Sequence, residues 1–205
     1  QNPSVALVSL IDPAGSDPLT QIRIGISGPL GVPLFYDLQT DLQVGAQWGW
    51  ASEGSLRWYP NSSRTTQFEV GAAVAASDAG SDQGYVALDV DVPWSAYQGS
   101  FSNLATGLLR YTSRLGEPWL ISATSILFGR LDGEGTADPT LKTHTSQTGL
   151  LGWEGGIGFG IQPMRNLFFD LNSNIFVPWT ESQGGPYPKS SDPLWHIGGE
   201  LTIRL

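Results

Sequence analysis

The chain has 205 residues, 40% of them hydrophobic and 14% charged, with no cysteine and a formal net charge of −9. That length suits one domain, the absent thiols exclude disulfides and thiolate metal sites, and the acidic balance argues against nucleic acid, whose phosphates need clustered Lys and Arg. No stretch approaches the roughly 18 apolar residues of a transmembrane helix, while 26 Gly and 14 Pro predict many turns and few helices.

The chain opens on Gln1-Asn2-Pro3-Ser4 with no basic or apolar leader, as expected of a mature form whose signal peptide has been removed. Residues 1–18 read as an N-terminal periplasmic segment or an extra strand, with Val5–Ile11 its apolar part. From residue 19 to 205 the dominant signal is alternation, the period of a β-strand. Leu19–Ser27 sets Ile22, Ile24 and Ile26 against Gln21 and Arg23. From Tyr36 to Trp50, the set Leu38, Leu42, Val44, Ala46, Trp48 and Trp50 opposes Asp37, Gln39, Asp41, Gln43 and Gln47. Ser55–Tyr59 is short, with Leu56 and Trp58 against Arg57. Thr66, Phe68, Val70, Ala72 and Val74 share a face, backed by Gln67, Glu69, Gly71 and Ala73. Val86, Leu88, Val90, Val92 and Trp94 share another, backed by Tyr85, Ala87, Asp89 and Asp91.

Phe101–Thr112 and Trp119–Leu131 carry apolar residues on both faces and leave their orientation open. Ser146–Ile161 places Leu151, Trp153, Ile157, Phe159 and Ile161 outward, and Gly152, Glu154, Gly156, Gly158 and Gly160 inward. Leu167, Phe169, Leu171, Ile175 and Val177 oppose Asp170, Asn172 and Asn174. The last strand, Trp195–Leu205, sets Trp195, Ile197, Leu201, Ile203 and Leu205 against His196, Glu200, Thr202 and Arg204.

The connection Gln162–Asn166 predicts a tight turn of odd length, because the apolar faces on either side coincide only if odd-numbered residues pair. Counting back, Ser113–Pro118, Ser77–Asp82 and Ala51–Gly54 join it on the periplasmic side. Gly28–Pro33, Asn61–Ser63, Ser95–Ser100, Asp132–Thr143 and Thr180–Asp192 become extracellular. The count is about ten strands, with eight to twelve compatible with the pattern.

Alternation also fits a soluble antiparallel barrel or sandwich. What separates the two is the content of the faces and ends. Trp48, Trp50, Trp58, Trp94, Trp119, Trp179 and Trp195 fall near strand ends, where an indole settles at a lipid–water boundary. The polar faces are poor in lysine and rich in amides, hydroxyls, carboxylates and arginine, which suits a narrow lumen. The predicted fold is an all-β, antiparallel transmembrane β-barrel with lipid outside and a polar interior.

This pattern, with the Gln162–Asn166 turn and the C-terminal strand, resembles the small bacterial outer-membrane β-barrels over nearly the whole chain. Members of that class typically finish on an aromatic residue, whereas this chain finishes on Leu205. The resemblance implies residence in the bacterial outer membrane among its lipids. It also implies contact with other envelope proteins through loops 132–143 and 180–192, or on the periplasmic side.

The inward set comprises Arg23, Asp37, Asp41, Arg57, Glu69, Asp89, Asp91, Glu154, Asp170, Glu200 and Arg204. Paired, these groups would plug the lumen, since unpaired charge in a narrow interior is costly; with acids in excess, the alternative is a narrow cation-favouring pore. The inward glycines lie where they would make room for Phe168 and Phe176 on the next strand.

His144-Thr145-Ser146-Gln147-Thr148-Gly149 resembles the H-x-S-x-x-G stretch of the lipid A deacylase family, although Leu150-Leu151-Gly152 follows in place of that family's Asn-Pro-rich segment. The resemblance implies His144 as general base and Ser146 as nucleophile, two residues apart on one face and so about 7 Å from each other. His196, with Asp192 and Glu200 nearby, reads as a rim histidine hydrogen-bonded to a loop; no cofactor or metal set is evident. The expected function is a structural or interaction protein of the outer membrane with a largely plugged lumen. A narrow diffusion pore and a lipid-A-type ester hydrolase are the alternatives.

Overall fold

The computed structural model describes residues 2–10, 19–44, 48–77, 96, 104–131, 149–164, 167–183, 185–189 and 191–203. Their ten strands are β1 (Asn2–Leu10), β2 (Leu19–Gly31), β3 (Leu34–Val44), β4 (Gly49–Trp58), β5 (Thr66–Ser77), β6 (Leu104–Arg114), β7 (Trp119–Arg130), β8 (Gly149–Met164), β9 (Leu167–Pro178) and β10 (Leu194–Ile203). They form one sheet in sequence order, every neighbouring pair antiparallel. Such an up-and-down meander needs only hairpin connections, which the Gly- and Pro-rich breaks supply. The connections after β2, β4, β6 and β8 are short and share one end of the sheet with residues 2 and 203. Those after β1, β3, β5, β7 and β9 lie at the other end and include the longest.

The faces are inside out relative to a water-soluble protein. Ile157 and Ile197 are 70% and 72% exposed, and Ile24, Leu42, Val70, Leu109, Phe159, Leu171 and Leu201 are exposed beside them. Asp41, Gln43, Arg130, Glu154 and Asn174 are buried on the opposite face. Tryptophans occupy outward positions toward both ends: Trp48 and Trp195 by the long connections, Trp58 and Trp119 by the short ones. At the short-turn end, Trp58 stacks on Phe68 at 5.5 Å between centroids, Phe68 meets Tyr111 at 5.1 Å, and Trp119 meets Phe159 at 5.2 Å. Trp153 lies over Gly155 and donates its indole N–H to Ser125 Oγ at 2.8 Å.

Several expectations need correction. Tyr36–Trp50 is not one strand: β3 ends at Val44 and β4 begins at Gly49, so Ala51–Gly54 lies within β4 rather than in a turn. Even-numbered residues face outward on both sides of that hairpin, so the alternation carries through the reversal without a break. The small outward residues Ser52 and Gly54 then imitate a turn.

β5 pairs directly with β6, from Thr66↔Ser113 to Ala75↔Leu104. The strand expected at 86–94, with Asp89, Asp91 and Trp94, lies outside the described residues. Asn2–Leu10 is paired with β2 along its length. These changes move Gly28–Pro33 and Asn61–Ser63 to the same end as Ser113–Pro118 and Gln162–Asn166, and Ser77 to the opposite end.

Between β8 and β9 the odd-with-odd pairing holds, with Phe159↔Leu171 and Ile161↔Phe169. The odd residue sits in a register shift between Ile161 and Met164, which takes Pro163 out of the ladder. A second shift faces Phe128 and Gly129, so that Leu150 and Gly152 are paired and Leu151 is not. Leu151, expected to point outward, is instead fully buried, because one extra residue flips a strand's facing.

Candidate functional site

The inward face of β2 to β7 surrounds a cavity of about 530 Å³. Small residues on β4 and β5 make the space: Ala51, Ser55, Gly71, Ala73 and Ala75 line it where larger side chains would fill it. Ion pairs between strands stand around it. Arg23 on β2 donates through Nε to Asp41 Oδ1 at 2.8 Å and through Nη2 to Asp41 Oδ2 at 3.2 Å, a two-point contact between residues directly opposite in the ladder. Arg57 Nη2 on β4 reaches Asp37 Oδ2 at 3.2 Å on β3, and Arg110 Nη1 on β6 reaches Glu69 Oε2 at 3.5 Å on β5.

Arg57, Glu69, Arg110, Thr124, Gly156, Asn174 and His196 are successive Cα partners from β4 to β10. The Arg and Glu side chains are therefore concentrated on the β4–β6 part of this row, with Thr124, Gly156, Asn174 and His196 beyond. Leu108, Ile126 and Phe128 form an apolar part of the cavity wall.

On β8 the inward positions follow a different logic. A Cβ on Gly152 would lie 2.5 Å from Phe176 Cζ and 2.6 Å from Val177 O, and one on Gly160 would lie 3.0 Å from Phe168 Cζ. A Cβ on Gly156 would collide with Asn174 Oδ1 and Thr124 Oγ1. The glycines thus seat the large side chains of β9, as expected from the sequence. Between Gly152 and Gly156 stands Glu154, only 1% exposed. Its Oε1 accepts from Asn174 Nδ2 at 3.1 Å and its Oε2 from the backbone N–H of Ala96 at 2.9 Å.

Toward the long-loop end, Leu104, Phe128, Leu151, Phe176, Tyr187 and Ala96 form a buried apolar cluster inside the sheet. Tyr187 enters it from the β9–β10 connection. That connection is built tightly, with Trp179 N–H donating to Leu151 O at 2.7 Å, Tyr187 N–H to Trp179 O at 3.2 Å, and Glu181 N–H to Tyr187 O at 2.7 Å.

Of the residues singled out from the sequence, Arg23, Asp37, Asp41, Arg57 and Glu69 come together around the cavity. Glu154 is set apart from them under the apolar cluster. Asp170 and Glu200 face each other as Cα partners on β9 and β10, and Glu200 Oε1 accepts from Thr202 Oγ1 at 3.0 Å. His196 is half-buried near the start of β10, on the inward face opposite Asn174. Trp50 sits at the start of β4, and Trp179 donates its indole N–H to Gln183 O at 2.9 Å within the loop. His144, Ser146, Arg204 and loop 132–143 lie outside the described residues.

Sequence reasoning missed Glu53, Arg110 and Arg130. Glu53 was hidden in the supposed Ala51–Gly54 turn. Arg110 and Arg130 belong to strands with apolar residues on both faces, and only the cross-strand register with Glu69 reveals that Arg110 points inward.

No protein-family model matches the sequence, and no curated protein aligns with it significantly. Solved structures do match the fold. The NanC porin superposes with a TM-score of 0.52 at 8% identity, covering 99% of this chain and 93% of that protein. A double variant of OccD1 (OprD) superposes with a TM-score of 0.57 at 13% identity, covering all of this chain but only 57% of the other. The fold is therefore that of the outer-membrane β-barrels represented by these porins, an all-β antiparallel sheet coiled around a polar interior. Neither neighbour is described as a hydrolase, and the short likeness at His144 and Ser146 gains nothing from them.

Proposed function

We propose that the protein resides in a bacterial outer membrane and works there as a narrow diffusion pore with a preference for cations. The observation that carries the membrane placement is the inverted packing: isoleucines at 157 and 197 are largely exposed while Glu154 is sealed inside. A water-soluble protein would lose stability by leaving so many large apolar side chains of adjoining strands in water, whereas hydrocarbon accepts them. The outward tryptophans at both ends then serve as interfacial girdles, and lipid is the partner of the outer face.

The cavity favours a pore over a completely filled interior. Its wall is polar on the β2–β6 side, and the acids Asp37, Asp41, Glu53 and Glu69 outnumber Arg23, Arg57 and Arg110 there. Fixed charge in a narrow, low-dielectric passage selects the counter-ion. The pairing of these groups also holds neighbouring strands in register, which is the structural service first expected of them.

The test uses the full chain purified in detergent and reconstituted into planar bilayers under a KCl gradient. Steady single-channel steps with a reversal potential toward the K⁺ equilibrium value support the reading. Silence from protein that shows heat-modifiable migration on a gel, and so is folded, overturns the pore and leaves a structural barrel. Solubility without detergent overturns the membrane placement.

A further inference from the structure

The cavity wall changes character along its ladder rows. Asp37, Ser55, Gly71, Leu108 and Ile126 are successive Cα partners from β3 to β7, and all five line the cavity. The next row repeats the order, with Glu53, then Ala73, and Phe128 two strands further. Each row thus runs from an acid, across small residues, to a large apolar side chain. Glycine and alanine leave the space above β5 open, where neighbouring strands lie about 4.8 Å apart. Three such steps separate Asp37 from Leu108, about 14 Å between backbones, of which the two side chains span roughly half. Leu108 leans back over the floor: a Cβ on Gly71 would lie 3.7 Å from its Cδ2. What remains is a trough with a charged end and an apolar end. It lies in a cavity of about 530 Å³, the size of a small-molecule site.

The charged end has one acid with room for a further donor. Asp41 is gripped at two points by Arg23, and its side chain is 10% exposed. Asp37 takes a single bond, from Arg57 Nη2 to Oδ2 at 3.2 Å, and is 44% exposed. No other donor reaches it among the described residues. The arginines of the wall are placed differently, since Arg23, Arg57 and Arg110 each already face a carboxylate. An ammonium group therefore gains a charge-assisted bond without breaking an existing one, whereas a carboxylate has to displace Asp41, Asp37 or Glu69.

We propose that this trough binds organic cations with a compact apolar body, a class that includes the arylalkylammonium ions. The ammonium sits on Asp37 with Glu53 one row away, and the hydrocarbon crosses Gly71 and Ala73 to Leu108, Ile126 and Phe128. Inorganic cations lack the apolar half, and anions of the same shape meet a wall with acids in excess. The inference names the solute class of the pore reading and rests on that reading for passage, though binding itself is testable without conduction.

The test is isothermal titration calorimetry of the full chain, folded in detergent, with 2-phenylethylammonium chloride as the probe and empty micelles as the blank. Heat-modifiable migration first confirms that each variant is folded. Saturable binding in the millimolar range is expected for so small a ligand. Asp37→Asn should weaken it about tenfold, through loss of one charge-assisted bond. Ala73→Leu, which keeps every charge but fills the floor, should weaken it at least as much. Phenylacetate, with the charge reversed, and methylammonium, without the apolar body, should each bind more weakly by about tenfold or more. Ile157→Thr, on the outer face, should bind the probe as the wild type does.

Equal affinity in wild type, Asp37→Asn and Ala73→Leu overturns the site, as does weakening confined to Ile157→Thr. Phenylacetate binding as tightly as the probe overturns the charge preference, and methylammonium binding as tightly overturns the apolar half. Absence of any saturable heat overturns the whole. Conductance in planar bilayers separates the two readings: binding without conductance keeps the site and overturns the pore, and conductance without binding does the reverse.

Discussion

Removing the charge of Asp41 should cost the barrel about 2 kcal/mol, and removing Arg23 as well should restore most of it. The estimate follows from burial and geometry. The two-point contact joins residues directly opposite on β2 and β3, with side-chain exposures of 27% for Arg23 and 10% for Asp41. Breaking a fully buried pair by deleting one partner costs about 3–5 kcal/mol, while an exposed pair is worth about 0.2–1 kcal/mol. Asp41 is near the buried limit and Arg23 is wetted by the cavity, which places the single substitution between these values.

Asp41→Asn leaves a guanidinium facing an amide that cannot neutralise it. Arg23→Met leaves a buried carboxylate, with Gln39 Nε2 a weak remaining donor at 3.4 Å. The double variant leaves neither charge unpaired. The assay is urea unfolding of the protein in lipid vesicles, followed by tryptophan fluorescence and by the heat-modified gel band, for wild type and the three variants. A coupling energy of about 1–2 kcal/mol in the cycle is expected for neighbours that share one interaction. Single losses that simply add, with no coupling, would refute the claim that this pair is a register-setting contact inside the lumen.

Other outcomes follow from the same structure. Ile157→Arg, on the exposed face near mid-strand, should lower stability in bilayers by about 2–4 kcal/mol, while leaving protein unfolded in urea unaffected; an equal effect in both would remove lipid from that face. Gly152→Leu should destabilise by about 1–3 kcal/mol through collision with Phe176 and Val177, and Phe176→Ala should recover part of that loss, as read from the same urea curves. Glu69→Gln should shift the reversal potential toward the anion side, because the four acids and three arginines of the cavity wall would become three of each; no shift would place Glu69 outside the conduction path. Ser146→Ala should leave the acylation of lipid A unchanged in mass spectra of expressing cells, and a loss of activity seen only in that variant would restore the hydrolase reading.

The separation between what a reader of the sequence could see and what needed three dimensions follows the range of the interactions. Alternation is a property of consecutive residues, so the β-class, the outward set from Ile24 to Leu201 and the inward set around Arg23, Asp41 and Glu69 were legible directly. So was the glycine series of β8, because a run of small residues at every second position implies large partners on the next strand. Reversal of the chain is not encoded in alternation when parity is kept across a hairpin, and this is why β3 and β4 read as one strand. Direct pairing of β5 with β6 is likewise a contact between residues far apart in sequence.

The sequence alone thus determined the two faces of the cleanly alternating strands, which side chains share the outer side and which the inner, since a two-residue period leaves each strand only two choices. Tertiary structure alone decided the partners and the ends. It brought Arg110 to Glu69, turned Leu151 inward through one unpaired residue, grouped the short turns at one rim, and folded Tyr187 into the mouth. Each of these depends on a register or a loop closure, where one residue more or less changes the outcome and local composition stays the same.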